Sequence, residues 1–167
     1  MNENIEKTAV ILKPDSIQRD IIGKIITIFE EKGVKIIGLK MFLMNEQTFK
    51  VLYSDIADKP FYQQTQEYLL SGPCVAIILE GLDAVERIKS ICGCSDLKKA
   101  EGWTIRGKFA QWTGCDVIHR SDNLEHANKA MELIFDKKDI FEYKKNNEHF
   151  MSETAWYKNN LNKQEEV

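Results

Sequence analysis

The chain has 167 residues, 43% of them hydrophobic, with 23 Lys and Arg against 26 Asp and Glu for a formal charge of −3. This length suits one domain, the apolar share supports a buried core and excludes global disorder, and the acidic balance excludes a broad basic face for nucleic acid. The longest apolar runs, such as 75–79, are far too short to span a bilayer, and the polar N-terminus carries no signal-peptide core. The expected location is the cytoplasm, with neither membrane nor nucleic-acid partners. Four cysteines (Cys74, Cys92, Cys94, Cys115) are too few for a disulfide scaffold. Cys92-Gly93-Cys94 lacks the Cys-x-x-Cys spacing of zinc and redox sites, so all four are read as small buried thiols.

Residues 7–13 read as an apolar strand stopped by Pro14. A single helix follows, capped by Asp15 or Ser16, with Ile17, Ile21, Ile22, Ile25, Ile26 and Phe29 at helical spacing and Gly33 at its end. A second strand covers 34–44, where Gly38 predicts a bulge or a close backbone approach. Residues 46–56 and 61–70 form two short helices broken at Asp58-Lys59-Pro60. Ser71-Gly72-Pro73 is a turn, 74–79 a continuously apolar strand, and 83–91 a helix capped by Asp83. Residues 93–115 hold four of the nine glycines without a clear period and read as a functional loop. A short strand at 116–119 leads to a helix over 123–135, capped by Ser121 or Asp122.

This order predicts an α/β (α+β) sandwich of the ferredoxin-like type, a four-stranded antiparallel sheet with helices on one face. The continuously apolar strands predict that the other face is covered by a subunit partner. The domain is drawn over 1–157, followed by a charged tail at 158–167.

Three polar residues stand at chain bends: Lys13 past the first strand, Arg106 inside the long loop, and His119 at a strand end leading into a capped helix. Two cations and an imidazole are a kit for phosphate chemistry, because Lys and Arg neutralise phosphate oxygens and imidazole attacks phosphorus or shuttles a proton. Spacing alone does not bring them together. His126 and His149 have no partner pattern and are read as structural.

Lys13-Pro14-Asp15, Ser71-Gly72-Pro73, Thr104-Ile105-Arg106-Gly107 and Ile118-His119-x-Ser121-Asp122 occur in that order, with Lys59-Pro60-Phe61-Tyr62 between them and Trp156-Tyr157 near the end. In this the chain resembles the nucleoside diphosphate kinases over nearly its whole length. The resemblance implies transfer of the γ-phosphate of ATP or another NTP to nucleoside diphosphates, in two steps through phospho-His119. It implies that Lys13 and Arg106 hold phosphates, that Tyr53 hydrogen-bonds beside Lys13, and that Phe61 stacks on the base. Asp55 and Asp122 match positions that help hold Mg2+ through water, Ser121 matches a residue supporting the nucleophile, and a homo-oligomer, a hexamer or a tetramer of dimers, is implied.

Several positions depart from the family pattern. Lys89 replaces a phosphate-gripping arginine and Ser95 a threonine; Asp116 replaces an asparagine near the ribose and adds negative charge close to polyphosphate. Thr113 and Thr65 make the base slot more polar, and Gly102-Trp103 replaces Pro-Gly. Arg120 follows His119 where the family has Gly or Ala, and either clamps phosphate or blocks the pocket. Ala130 occupies the position of a glutamate that orients the nucleophile, and Glu132 faces another side of the helix. These departures keep open a second reading, an impaired nucleotide-binding or assembly member of the fold.

Overall fold

Strands β1 (Ile5–Leu12) and β3 (Pro73–Leu82) are apolar on both faces and therefore have to lie at the centre of a covered sheet. In the computed structural model, which describes residues 4–146 and Phe150, they do. β2 (Lys35–Leu43) and β4 (Ile118–Arg120) complete an antiparallel sheet of order β2-β3-β1-β4. The helices are α1 (Pro14–Gln18), α2 (Ile22–Glu31), α3 (Glu46–Leu52), α4 (Tyr62–Leu70), α5 (Ala84–Cys92), α6 (Ile105–Phe109) and α7 (Leu124–Ile134), with 3-10 turns at Ser54–Ile56 and Lys137–Asp139. Among the described residues no helix is long and apolar enough to cross a membrane. Trp156, Tyr157, His149 and the expected tail at 158–167 lie outside the described residues.

Alternate strand residues serve two separate cores. Val10, Leu12, Ile77 and Leu79 pack against Ile25 and Phe29 of α2 and Ile88 and Ile91 of α5. Ile11, Cys74, Ala76 and Ile78 pack on the opposite side against Phe49 of α3, Leu69 of α4 and Ile134 of α7. Both faces are thus covered by the chain's own helices, which corrects the expectation of helices on one face and a partner on the other.

The expected helix after β1 is two helices. The αL residue between them is Asp20 (φ 52), and the hydrogen bonds Ile21 N to Ser16 O (3.1 Å) and Asp20 N to Ile17 O (3.1 Å) form a Schellman end. The same bond pattern closes α2 at Gly33 (φ 72), as the sequence predicts. Lys13 holds the N-cap position of α1 without a side-chain cap, so neither Asp15 nor Ser16 caps it. Asp83 stands at the start of α5 but leaves the capping to Glu6, whose Oε2 accepts from Val85 N at 3.1 Å. At α7 the cap is Asn123, accepting from His126 N at 2.8 Å, in place of Ser121 or Asp122. The bulge at Gly38 is present: the pairing skips Ile37, and a Cβ on Gly38 would stand 3.1 Å from Asp139 O. Cys74 and Cys92 are buried, with both thiols pushed up to about 12 chiefly by burial, but Cys94 is exposed and Cys115 is half-buried.

Because Asn123 alone supplies the side-chain cap of α7, Asn123→Ala is expected to lower stability by about 1 kcal/mol, a Tm decrease of roughly 2–4 °C. Thermal unfolding followed by circular dichroism measures it, and an unchanged Tm would show that the cap contributes nothing.

Candidate active site

β1, α6 and the approach to β4 meet at a three-residue turn. Ile118 N donates to Asp116 O at 2.8 Å, and Val117 between them has φ 63, a left-handed conformation costly for a β-branched residue. Lys13 N (2.9 Å) and Ser16 Oγ (2.7 Å) both donate to Val117 O, which ties the turn to the end of β1 and the start of α1. The Asp116 carboxylate then accepts from two buried cations. Oδ1 takes Lys13 Nζ, and Oδ2 takes Arg106 Nε at 3.1 Å. Arg106 also donates from Nη1 to Gly93 O and from Nη2 to Ile118 O, both at 2.8 Å. Its helix α6, inside a stretch expected to lack regular structure, begins at Thr104, whose Oγ1 accepts from Gly107 N at 3.1 Å. Gly93 (φ 86) lets the preceding loop lie on Thr104, where any Cβ would overlap Oγ1 at 2.3 Å.

His119 pairs with Ile11 across β1 and β4, and its ring meets that of Tyr53 at 4.9 Å. Tyr53 in turn stacks on Phe49 at 4.8 Å and 18°. Burial, reinforced by the Lys13 and Arg106 charges, pushes the imidazole down to about 3, against the smaller opposing effects of Asp116 and Asp122. His119 is therefore neutral at physiological pH. Tyr53 Oη is buried with no hydrogen-bond partner among the described residues, so the expected bond beside Lys13 is not made. Burial and the nearby Asp116 hold that phenol protonated. Ser121 is buried and donates to Ala9 O at 3.4 Å. Ala130 of α7 is also buried and carries no polar side-chain atom.

Lys13, Tyr53, Arg106, Asp116, His119 and Ser121 line one cleft of about 780 Å³. Phe61 (50% exposed), Thr65 and Thr113 form part of its outer wall, and Ser95, Asp55, Asp122 and Arg120 also border it. The Arg120 side chain is only 11% exposed and pairs with Asp122, while its Nε has no partner among the described residues. Burial opposes charge on Asp122, but the Arg120 guanidinium outweighs it and holds the carboxyl below the usual range. Lys89 is the one expected contact that does not line the cleft; it turns to Glu86 at 3.3 Å, although its charge also favours ionised Asp122. Trp112, Lys129 and His126 line the cleft without having been singled out for it, His126 having been read as structural. Trp112 belongs to a tight turn closed by a Trp112–Cys115 bridge, and no spacing in the sequence announces such a turn. No cluster of three or more His, Cys, Asp or Glu side chains able to hold a metal exists among the described residues. The separate carboxylates Asp55 and Asp122 suit a cation whose main ligands are phosphate oxygens.

The sequence model of the nucleoside diphosphate kinase family matches residues 6–140. The nucleoside diphosphate kinase of Kosmotoga olearia is 42% identical over 140 residues, covering 84% of this chain and 95% of that protein. That of Methanobrevibacter smithii is 39% identical over 139 residues, covering 83% and 93%. Among solved structures, the Halobacterium salinarum nucleoside diphosphate kinase in complex with CDP superposes with a TM-score of 0.85 at 32% identity, covering 90% of this chain and 100% of that one. The Borrelia burgdorferi enzyme, a transition state mimic with bound vanadate and ADP, gives a TM-score of 0.82 at 28% identity, covering 88% and 96%. With its cleft, its neutral histidine and its paired cations in this setting, the chain belongs to the nucleoside diphosphate kinase family.

Proposed function

We propose that this chain carries out nucleoside diphosphate kinase chemistry in two steps through phospho-His119, with ATP or another nucleoside triphosphate as donor. The observation that carries the reading is a neutral imidazole bordering a cleft in which Lys13 and Arg106 stand beside it. The unprotonated ring nitrogen forms the N–P bond as the bond from the γ-phosphorus to the β-γ bridging oxygen breaks, and the nucleoside diphosphate departs. A second nucleoside diphosphate takes the phosphoryl group back by the reverse displacement. Lys13 and Arg106 stabilise the charge spread over the transferring oxygens. The Tyr53 hydroxyl, without a partner among the described residues, is a donor for the same oxygens. Phe61 offers an exposed ring on which any base can stack. Magnesium bound with the nucleotide would supply further charge neutralisation, and Asp55 and Asp122 are the cleft residues that would help hold it. CDP and ADP in the two related structures support this substrate class.

The same proposal includes a homo-oligomer in the cytoplasm. Edge strand β2 exposes Leu39, Met41 and Leu43 on one face at 53%, 62% and 71%, an apolar stripe suited to a second copy.

Intact-protein mass after brief exposure to MgATP tests the mechanism. The chain gains one phosphoryl group, lost on adding a nucleoside diphosphate, and His119→Ala gains none; acid-labile phosphate on that variant would refute the assignment. The rate of phosphoenzyme formation is expected to stay level from about pH 8 to pH 5, whereas an imidazole at its ordinary value of about 6.5 would lose more than nine-tenths of its neutral form over that range. The sign follows from the lowered value: the neutral ring is favoured in the fold, and that contribution to stability is lost as pH falls from about 6.5 toward 3. Arg120→Gly is expected to weaken ADP binding roughly tenfold, by loss of a charge-assisted phosphate contact. Tighter binding in a calorimetric titration would show that Arg120 obstructs the cleft.

A further inference from the structure

Asp116 is placed where two cations meet. Its side chain is 9% exposed, as is that of Lys13, and Arg106 is buried further at 5%. Burying two cations without a partner is costly, and one carboxylate bridging both offsets that cost while holding Lys13 and Arg106 side by side. The two remaining nitrogens of Arg106 already donate to backbone carbonyls, so its strongest acceptor in the cleft is this carboxylate. An anion entering beside His119 has to compete with Asp116 for both cations.

We infer that Asp116 is a built-in counter-ion that occupies the place of phosphate and sets which anions the cleft admits. A pyrophosphate unit, with several charges and oxygens spaced to reach both cations, displaces it; a small single anion such as sulfate does not. The inference rests on the proposed nucleotide site. It makes Asp116 a specificity-determining residue and gives it a second effect: the displaced carboxylate repels the bound polyphosphate and weakens its hold, which favours release between the two half-reactions.

Asp116→Asn removes the charge at nearly constant shape and leaves an amide oxygen for Arg106 Nε. Calorimetric titration of the full chain and this variant with inorganic pyrophosphate, ADP and sulfate tests the idea. Pyrophosphate and ADP are expected to bind the variant about tenfold more tightly, and sulfate to gain measurable binding. Pyrophosphate has no sugar, so its response separates a counter-ion from a group that contacts the nucleoside. Unchanged or weaker pyrophosphate binding would overturn the proposal while leaving the nucleotide site intact. Failure of both the chain and the variant to bind ADP or pyrophosphate would overturn the site and the inference together. If the variant unfolds in plain buffer, its melting in saturating pyrophosphate reads the same competition: recovery of a cooperative transition supports the counter-ion role, and none refutes it.

Discussion

The left-handed turn at Val117 is the constraint on which the site depends. In a regular strand Asp116 and His119 would point to opposite faces, since side chains alternate. The turn at Val117 breaks that alternation, and both side chains border the same cleft. A β-branched residue held there costs of order 1–3 kcal/mol, which the surroundings have to outweigh. They do so through a fully buried Val117 side chain, the bonds from Lys13 N and Ser16 Oγ to its carbonyl, and the short Ile118-to-Asp116 bond. The strain therefore sits at the one point where β1, α1 and β4 are stitched together.

From that point the electrostatics follow. Beyond the effect of burial, Lys13 and Arg106 lower the proton affinity of His119 and Asp116 partly restores it, so the cation pair and its carboxylate act on the imidazole as well as on the cleft. Among the described residues no carboxylate is hydrogen-bonded to the imidazole, and Ala130, where the resemblance places an orienting glutamate, is buried on α7. Its place is set instead by the β1–β4 pairing through Ile11 and by Tyr53, which is itself held on Phe49. Packing of an aromatic stack restricts a ring's tilt but leaves its tautomer to whatever the free nitrogen meets.

Much of this was legible in the sequence, and the gaps have physical causes. The strands and the bulge at Gly38 could be read because apolar runs and an interior glycine have few alternative explanations. The break between α1 and α2 was not, since Asp20 adopts a conformation usually signalled by glycine while the apolar spacing continues across it. Glu6 capping a helix that begins nearly eighty residues later is a tertiary contact, invisible to a local rule that favours Asp83. The covering of the second sheet face was missed because it arises only when the apolar sides of α3, α4 and α7, far apart in the chain, meet in one core. Within the site, residues carried by motif blocks came together, whereas Lys89 followed a nearer carboxylate, as a flexible ammonium readily does.

The departures from the family pattern are coupled in space. Asp116, where the resemblance places an asparagine, adds one negative charge between Lys13 and Arg106, and Arg120, where it places a small residue, adds one positive charge on the next strand. Lys89 meanwhile turns aside to Glu86, and the nearly buried Arg120 becomes the guanidinium that borders the cleft beside Asp122. Asp116 and Arg120 thus bring opposite charges to one cleft, while the Lys89 ammonium lies outside it. A carboxylate and a guanidinium that enter the same cleft together, beside an imidazole held neutral, are a paired change of charge, and this differs in kind from the piecemeal loss of polar groups that decay would leave.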